Sequence, residues 1–415
     1  MRKLKVLFVN ELSPNDVRIG AFRMRELSAA MARQGHSIIL FTTAANNETI
    51  TDLSKLSSVI DQHNFSHPLH ICCGRKKSFL QPRIRKGQLP KLLNKILIFC
   101  YYFFSIGVTR DWKQGSKPFW RPLAKIFSPD VVIGTFGNTD CLMITKKIAH
   151  YANAPWVIDM KDSWNNFVPA LFRRYTAEKF KDTALITVLA EFYLKDAAEF
   201  FPEIPRCVIY SGFPSYLLEK NTHKKEVGKY KIFLVGSHYN KIHLRILLNG
   251  IQQWAEKQSD FVELHYLGSD HEVIDNEFAA IAGNLHTVNH GQVTFETYID
   301  FLQQADVLCY VHLDVTFHHK STELLAFQKP IICVPFEHSE AIKLAENAKI
   351  PLFQCRDSHA VISALQTCFA SEDPLIINKE FLRLFTWDAQ ALQLTGYCTR
   401  LIAGKPLTVE KCKLI

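Results

Sequence analysis

Short apolar runs and amphipathic segments alternate through this chain in two successive series, and this alternation limits the possible folds more than any other feature. Short runs of apolar, β-branched and aromatic residues are typical of strands buried on both faces. The first series contains the predicted strands Leu4–Val9, Ser37–Phe41, Val131–Ile133, Trp156–Asp159, Ala184–Val188 and Val208–Tyr210. The second contains Lys231–Gly236, Val262–Leu267, His286–Val288, Val307–Val311, Ile331–Val334 and Leu352–Gln354. Because amphipathic stretches such as Ala21–Gln34 and Cys141–Tyr151 separate several of these strands, the pattern predicts two parallel, doubly wound α/β sheets.

The length of the chain also favours two domains. At 415 residues it exceeds the size at which a single core normally keeps growing. The polar, strand-poor stretch 211–230 separates the two series and is the best candidate for a linker. We therefore expect an N-terminal domain at 1–210, a second domain at 231–385, and a closing helix within 386–415.

Composition describes an ordinary soluble globular protein, with 47% hydrophobic and 21% charged residues. The eleven cysteines include no C-x-x-C pair and only one adjacent pair, Cys72 and Cys73, so neither a disulfide framework nor a zinc pattern is expected. The first apolar run is too short for the core of a signal peptide. A reducing cytoplasm is the simplest expected location.

The net charge of +9 is concentrated in one region. Between Arg75 and Lys125 there are thirteen Lys or Arg residues and one acid, Asp111. The same region contains the apolar stretch Leu92–Gly107, whose longest uncharged run is shorter than the roughly 20 residues that span a bilayer. A core helix with a solvated basic flank and a helix lying on anionic lipid, at the inner face of the plasma membrane, are two open interpretations. No nucleic-acid-reading motif accompanies the charge, so a nucleic-acid partner is not expected.

In open α/β sheets, ligands bind at the carboxyl ends of the strands, so the loops after the strands are the places to look for chemistry. The loop after the first strand ends at Gly20, where a helix begins and a phosphate could approach the backbone. An ordinary tight turn explains this glycine equally well. The loop Asp159-Met-Lys-Asp-Ser-Trp164 carries Asp162, which could bind a sugar hydroxyl or transfer a proton. Alternatively, Asp162 caps the next helix or pairs with Lys161.

Two loops in the second half carry the strongest pattern. After Gly236, Lys241 and Arg245 fall four residues apart on one face of a predicted helix and could face a diphosphate. The stretch "HHKSTELLAFQKPI" lies between two predicted strands and offers a short helix that Ser321 or Thr322 could cap. Lys320 and the amides of Ser321 and Thr322 could receive phosphate, and Glu323, in the first turn, could bind a vicinal diol.

Several other chemistries lack their motifs. His318 and His319 are adjacent and point different ways without an evident third ligand, and no D-x-D triplet is present, so no metal is expected. The absence of G-x-G-x-x-G argues against a nicotinamide dehydrogenase, and G-x-S-x-G nucleophile motifs are missing as well. We expect no cofactor.

An ordered set of segments resembles the GT-B glycosyltransferases, in particular the retaining, metal-independent family 4-like enzymes. In the first half these segments are "RIGAFRMRELSAAMARQGHSIILFTT", "PWVIDMKDSW" and "CVIYSGFP". In the second half they are "IFLVGSHYNKIHLRILLNGI", "LHYLGSD", "KSTELLAFQKPI" and "FTWDAQALQL". The resemblance implies two Rossmann-like domains facing a cleft, an acceptor-side N-terminal domain, a donor-binding C-terminal domain, and a final helix that crosses back to the first domain.

The resemblance also implies roles by position. Glu323 matches the second Glu of the E-x7-E motif, which holds the ribose of a nucleotide donor, and Val315 stands where the first Glu would be. Lys241 and Arg245 match the basic positions that face the diphosphate, and Gly20 matches the glycine of the N-domain loop. With Gly236, Lys320, Ser321 and Thr322, they are the residues expected to bind the donor. Asp162 matches an acidic position on the acceptor side.

The expected activity is transfer of a sugar, with retention, from a UDP or GDP sugar to a hydroxyl of a glycan or lipid-linked acceptor, as in bacterial surface polysaccharide biosynthesis. Lys241, Arg245 and Lys320 would stabilise the departing diphosphate. A nucleotide-sugar epimerase of the same fold and a non-catalytic nucleotide-sugar-binding protein remain open alternatives.

Overall fold

The computed structural model describes residues 2–16, 18–45, 47–219, 226, 228–237, 240–281, 283–313, 316–370, 374–405 and 407. Val315, the middle of the 211–230 stretch, part of the loop after Gly236 and most of the last ten residues lie outside this description. The chain forms two compact units. The first runs to Gly212 and takes in the chain again from Trp387, and the second is Phe213–Thr386.

The first unit contains a parallel sheet with the strand order β3-β2-β1-β4-β5-β6-β7. Its strands are β1 Lys5–Val9, β2 Ser37–Thr43, β3 Leu69–Cys73, β4 Val131–Thr135, β5 Trp156–Met160, β6 Leu185–Val188 and β7 Arg206–Val208. Its helices up to β7 are α1 Ile19–Arg33, α2 Leu56–Gln62, α3 Leu80–Arg85, α4 Lys91–Ser105, α5 Arg110–Phe127, α6 Thr139–Ala152, α7 Trp164–Phe167, α8 Arg173–Glu178 and α9 Phe192–Phe200. The order reverses between β1 and β4, which makes this pair the switch point of the sheet.

The second unit repeats the pattern with the order β10-β9-β8-β11-β12-β13, also parallel. Its strands are β8 Lys229–Val235, β9 Phe261–Leu267, β10 Leu285–Asn289, β11 Val307–Val311, β12 Ile331–Val334 and β13 Leu352–Gln354. Its helices are α10 Lys241–Ala255, α11 His271–Phe278, α12 Phe295–Gln303, α13 His319–Leu325, α14 Ser339–Ala348, α15 Ser358–Ala370 and α16 Lys379–Arg383. Here the switch point lies between β8 and β11.

Helix α17, Trp387–Ile402, packs in the first unit against α1, as expected of the closing helix. Trp387 and Leu394 are buried in the same core as Met24 and Leu27 of α1, and the Phe22 and Trp387 rings meet edge-on at 5.8 Å. Burying a large apolar side chain contributes about 1.5–3 kcal/mol, so four such side chains hold α17 firmly. The backbone amide of Tyr210 also donates to Gln390 of α17 at 2.7 Å.

The structure differs from the sequence expectations at four elements. Strand β7 is Arg206–Val208 and ends where the expected strand Val208–Tyr210 begins. Strand β3 was not predicted, because its "LHICC" core is only five residues long and follows a His- and Pro-containing loop. Strand β8 begins at Lys229, inside the expected linker. Its first three residues are polar and only partly buried, so no apolar run marks the start of the strand in the sequence. Helix α13 begins at His319 with His318 as its cap, so Ser321 and Thr322 do not cap it and Glu323 lies beyond its first turn.

The basic region folds as three helices. Helix α5 is amphipathic in the ordinary sense, since Trp112, Phe119 and Leu123 are buried while Lys117 and Arg121 are exposed. Helix α4 is different because most of its exposed side chains are apolar. The two helices are separated at Ile106, which has a left-handed backbone conformation with a φ of 65°.

Candidate functional site

Gly236 and Lys320 meet at the switch point of the second sheet. Gly236 directly follows β8, and Lys320 lies at the start of α13, which follows β11. The ammonium group of Lys320 donates to the carbonyl oxygen of Val235 at 3.1 Å. A Cβ added to Gly236 would lie 1.0 Å from the Lys320 Nζ atom, and Gly236 has a φ of +90°. Only glycine satisfies both the backbone conformation and the close approach of the lysine.

The surroundings of Lys320 favour its neutral form more than water does. Burial lowers the pKa of Lys320 to about 8, against the opposing effects of the negative charges of Glu323 and Asp270. A lysine with a lowered pKa beside a strand end is a functional-site candidate, because a bound anion would stabilise its ammonium form and raise that pKa again.

Glu323 lies one turn after Lys320 and has a partner that the sequence did not reveal. Burial raises the pKa of Glu323, while a hydrogen bond with the Tyr298 hydroxyl and the charge of Lys320 act in the opposite direction. Tyr298 comes from α12, which precedes β11. Its phenol orients a carboxylate that still has acceptor capacity for another pair of hydroxyls.

Ser321 and Thr322 point their hydroxyls back into α13. Ser321 Oγ donates to the His318 carbonyl oxygen at 2.5 Å, and Thr322 Oγ1 donates to the His319 carbonyl oxygen at 3.2 Å. Both residues are buried, and His318 supplies the cap by accepting a hydrogen bond from the Lys320 amide at 3.2 Å. Their role as phosphate contacts stays a prediction, and it concerns their backbone rather than their hydroxyl groups.

The loop after β9 completes this group of residues. Tyr266 donates its hydroxyl hydrogen to the Gly236 carbonyl oxygen at 2.9 Å and accepts a hydrogen bond from the Asp270 amide at 3.0 Å. Ser237 and Ser269 lie with their hydroxyl oxygens 2.9 Å apart. Three consecutive strand ends, those of β9, β8 and β11, therefore converge around Lys320. We call Gly236, Asp270, Lys320 and Glu323 the donor-side cluster, after the role that the resemblance implies for this half of the chain.

The two predicted cations of α10 are placed differently. Lys241 is exposed in the first turn, where Asn240 caps the helix by accepting hydrogen bonds from the Ile242 and His243 amides. Arg245 is bound by Glu277 of α11 through two hydrogen bonds of 2.9 and 3.0 Å. Among the described residues no hydrogen bond or ion pair joins Arg245 to Lys320 or Glu323, so the structure does not bring Arg245 into the donor-side cluster.

In the first unit, Gly20 and the loop after β5 are brought together. A Cβ on Gly20 would lie 2.4 Å from Cε of Lys161, and a Cβ on Gly137, after β4, would lie 3.8 Å from the same atom. Asp162 forms an ion pair with Lys161, as one of its alternative interpretations expects. It does not cap α7, whose first amide, that of Trp164, donates to Asp196 instead. We call Gly20, Gly137, Lys161 and Asp162 the acceptor-side cluster, after the role that the resemblance implies for the first half of the chain.

A buried ion pair between Arg23 and Asp159 lies next to the acceptor-side cluster. Arg23 of α1 reaches Asp159 at the end of β5 with hydrogen bonds of 2.9 and 3.1 Å, and it also donates to the Ile209 carbonyl oxygen at 2.7 Å. Thr187 donates to the same carboxylate at 2.9 Å. The side chain of Arg23 is 1% exposed. This network holds the start of α1, and with it Gly20, against the strand ends.

A second buried carboxyl group was not anticipated from the sequence. Glu337, which follows β12, accepts hydrogen bonds from the Tyr310 hydroxyl at 2.8 Å and from the His338 amide at 2.9 Å. His312 Nε2 lies 3.7 Å from the same carboxyl group. Burial raises the pKa of Glu337 to about 7, against the opposing effect of the hydrogen bonds from Tyr310 and His338. Glu337 therefore ties the strand end of β12 to β11, next to the loop that leads into α13.

One group of side chains in the described part of the chain has the ligand types of a metal site. Donor atoms of Glu48, His70 and Cys72 lie within 4.8 Å of one another. Their protein partners already engage them: Glu48 bonds with Ser13, Asn15 and the Ala45 amide, and Cys72 donates to the Thr49 carbonyl oxygen. Burial also raises the pKa of Cys72, which disfavours the thiolate that binds metals. These contacts favour a structural role in linking the loops that follow β1 and β2.

Solved structures match nearly the whole chain, although no family model and no curated protein matches it. Sucrose-phosphate synthase from Thermosynechococcus elongatus has 13% identity and a TM-score of 0.64, covering 97% of this chain and 100% of that one. HepE from Anabaena, solved in complex with UDP and glucose, has 12% identity and a TM-score of 0.57, covering 95% and 99%. A putative UDP-N-acetylglucosamine 2-epimerase from Listeria monocytogenes has 11% identity and a TM-score of 0.56, covering 98% of each chain.

At these identities the likeness shows the fold alone. The two parallel-sheet α/β units are those of the GT-B fold, which confirms the fold class expected from the sequence. Among the matching structures, one from Rickettsia africae is titled as a glycosyltransferase.

Proposed function

We propose that the protein is a glycosyltransferase that moves a sugar from a nucleoside-diphosphate sugar to a hydroxyl of a glycan or lipid-linked acceptor with retention of configuration. The observation that carries this proposal is the donor-side cluster, where Lys320 and Glu323 meet Gly236 at the switch point of the second sheet. A lysine and a carboxylate at this spacing suit the diphosphate and the ribose diol of one nucleotide. UDP is the first candidate for the nucleotide because HepE was solved with it.

Lys320 supplies the main electrostatic contribution in this mechanism. As the bond between the sugar and the phosphate breaks, negative charge collects on the departing diphosphate. An ammonium group fixed against the strand end stabilises that charge without having to reorganise. Gly236 leaves room for the diphosphate-facing lysine, and Lys241, exposed at the start of α10, is a second candidate cation.

Glu323 binds the ribose in this account. Its carboxylate accepts hydrogen bonds from the two ribose hydroxyls, and Tyr298 holds it in position. The carboxylate form is the better acceptor, so the charge of Lys320 and the Tyr298 hydrogen bond, which both favour that form, prepare Glu323 for the donor. The acceptor hydroxyl attacks the sugar from the face that the diphosphate leaves, and its proton passes to an oxygen of the departing phosphate.

The acceptor-side cluster is assigned to the other substrate. Lys161 and Asp162 place opposite charges above Gly20, at the switch region of the first sheet. Such a pair hydrogen-bonds well to sugar hydroxyls, because it offers both donors and acceptors. We assign it to a sugar or a phosphate group of the acceptor, and we place the reaction in the assembly of bacterial surface polysaccharides.

A turnover experiment tests this proposal. Purified protein is incubated with radiolabelled UDP-glucose, UDP-N-acetylglucosamine or GDP-mannose, with and without a bacterial lipid and glycan extract, and in the presence of EDTA. Transfer predicts label in the extract and release of the free nucleotide, both lost in Lys320→Met and both resistant to EDTA. Conservation of the anomeric configuration in the product, read by NMR, tests retention.

The Listeria neighbour gives one specific alternative, an epimerase of the same fold. An epimerase predicts conversion of the donor into its 2-epimer without any extract. A non-catalytic binding protein predicts neither label transfer nor epimer, together with a nucleotide sugar that is recovered unchanged.

A further inference from the structure

Helix α4 presents an apolar stripe to solvent. Leu92, Ile96, Phe99 and Phe103 follow one another at spacings of four, three and four residues, which places them on one face of the helix. All four are exposed, Leu92 by 72% and Phe103 by 56%, and the Phe99 and Phe103 rings are stacked with centroids 6.2 Å apart. On an ordinary surface helix this face would carry polar residues.

The face of α4 next to the stripe packs on the first unit, and Phe99 of the stripe also contacts Phe172, with ring centroids 5.1 Å apart. Tyr102 is buried, stacks on Phe172 with centroids 5.5 Å apart, and donates its hydroxyl hydrogen to the Phe167 carbonyl oxygen at 3.2 Å. Leu171, in the same loop as Phe172, is 75% exposed and adds to the apolar surface. The stripe faces solvent because the contacts of Tyr102 fix the rotation of α4 about its axis. We call the stripe, together with Phe104 and Leu171, the α4 surface.

Basic side chains accompany the α4 surface. Lys76, Lys77, Lys86, Lys91 and Lys95 are exposed in the segments that lead into α4 and in its first turns. Arg83 lies over the ring of Phe79, which is 71% exposed, at 3.8 Å from its centroid. This combination of exposed aromatic and aliphatic side chains with cations complements the apolar interior and the anionic headgroups of a lipid surface.

Other basic residues of the region have structural partners and do not belong to this surface. Arg75 and Arg85 both bind Asp111, and Lys113 binds the buried Asp140. A test of the α4 surface must leave these three residues unchanged, because their loss would leave buried carboxylates without partners.

The dimensions of α4 favour a helix that lies along a bilayer rather than across it. The stretch Lys91–Phe127 is long and apolar enough to cross a membrane by length and composition alone, which is weak evidence by itself. The helix ends at Ile106, so α4 has only 15 residues and is roughly 22 Å long, whereas the hydrocarbon core of a bilayer is about 30 Å thick. The following helix, α5, buries its apolar face in the first unit.

The C-terminal end of α4 is fixed next to the acceptor-side cluster. Thr139 donates to the Ile106 carbonyl oxygen, and Asp140 accepts a hydrogen bond from the Thr109 amide at 2.7 Å. Both residues begin α6, directly after the loop of Gly137, which lies against Lys161. A surface on which α4 rests would therefore lie close to the strand ends of the first sheet.

We propose that the α4 surface docks on the face of an anionic phospholipid bilayer, with the stripe inserted at the boundary between headgroups and acyl chains and the lysines on the headgroups. This inference rests on the surface of the first unit and not on the donor-side cluster. It assigns the first unit a membrane-facing side, which would bring a lipid-borne acceptor to the acceptor-side cluster.

Vesicle flotation tests the inference. The probes are vesicles of phosphatidylcholine alone and of phosphatidylcholine with 30% phosphatidylglycerol. The wild-type protein is expected to float with the anionic vesicles and to be released by salt. The variant Leu92→Ser/Ile96→Ser/Phe104→Ser is expected to bind at least about 1,000-fold more weakly, because three inserted side chains are lost. Replacing Lys76, Lys77, Lys86 and Lys91 by Gln should weaken binding about fivefold for each lysine.

A matched control removes three exposed apolar side chains elsewhere. Leu375→Ser/Ile376→Ser/Leu392→Ser carries the same number of changes on exposed residues, and it should float like the wild type. Circular dichroism and the thermal shift with donor nucleotide should be unchanged in the α4 variant. This separates a failure of membrane docking from a failure of the donor site.

Two results would overturn the inference. Flotation that is absent for the wild type, or equal for the wild type and the α4 variant, would show that the stripe does not insert. A concentration-dependent dimer in sedimentation, lost in the α4 variant and accompanied by no flotation, would show that a second copy of the chain covers the α4 surface instead.

Discussion

The affinity for a nucleoside diphosphate is expected to fall as the pH rises above about 8, because Lys320 loses its charge there. Burial lowers the pKa of Lys320 to about 8 in the ligand-free protein. The protonated fraction is then about 0.9 at pH 7 and about 0.1 at pH 9. If the diphosphate binds only the ammonium form, the dissociation constant rises about tenfold over this range, which corresponds to about 1.4 kcal/mol.

The sign of the proton exchange follows from the same argument. A bound diphosphate favours the ammonium form and raises the pKa of Lys320, so binding takes up protons above about pH 8. In the ligand-free protein the pKa is below the ordinary lysine value of 10.5. The folded state therefore holds fewer protons than the unfolded state between these two values, and the stability contributed by this residue increases as the pH rises through that window.

Isothermal titration calorimetry from pH 7 to 9, in buffers of different ionisation enthalpy, measures both the affinity and the proton uptake. Lys320→Met should bind more weakly at pH 7 and approach the wild type at pH 9, and its pH profile reports any titration of the ligand itself. Lys257→Met, an exposed lysine of the same unit, is the control and should behave like the wild type. A wild-type profile parallel to that of Lys320→Met would refute the reasoning.

Three further predictions concern single sites. Gly236→Ala should lower donor affinity at least about tenfold without unfolding the protein, because the methyl group takes the place of the Lys320 ammonium group; thermal shift with nucleotide measures it. Glu337→Gln should raise the free energy of unfolding in urea at pH 8 by up to about 3 kcal/mol and change it little at pH 4.5. The pKa of Glu337 is raised to about 7 in the folded protein, so the folded state favours the protonated acid, and the stability that this acid contributes is lost as the pH rises from 4.5 to 8. The neutral Gln does not lose this contribution. Equal effects at both pH values would contradict this. Arg23→Met should destabilise the protein by about 3–5 kcal/mol, and Asp159→Leu added to it should restore much of the loss in urea unfolding.

Much of the sheet architecture could be predicted because it depends on local patterns. Most strands of both sheets are short apolar runs that can be recognised between amphipathic helices. The edge strand β3 was not predicted, because its "LHICC" sequence is short and follows a polar loop. Its burial comes from α5, which lies far along the chain and has no local signal in the strand itself.

The donor-side cluster could be predicted in part. Lys320, Glu323 and Gly236 lie at strand ends, and the rule that ligands bind at carboxyl ends of parallel strands selects them. Tyr298 could not be predicted, since its contact with Glu323 joins α12 to α13 across a strand. The role of Arg245 was predicted from helical spacing alone. That spacing places the cation on one face of α10 but does not show that Glu277 of the next helix pairs with it.

The basic segment shows why periodicity alone leaves two interpretations open. An apolar helix with a stripe facing the core and one with a stripe facing solvent have the same sequence pattern. Which side is buried depends on Phe172 and Phe167, more than sixty residues away from Tyr102 in sequence. The structure supplies that information and shows that Leu92 and Phe103 face outward.

The most direct test of the central claim is thermal stabilisation of the purified protein by UDP, GDP, CMP and their sugar derivatives, repeated with Glu323→Ala. A ligand at 100 times its dissociation constant stabilises the folded state by about 2.7 kcal/mol, which is readily detected. The account predicts a shift with one nucleotide and its sugars, lost in Glu323→Ala, whose own melting temperature serves as the folding control. No shift with any of these ligands, or an equal shift in the variant, would contradict a donor site built on Lys320 and Glu323.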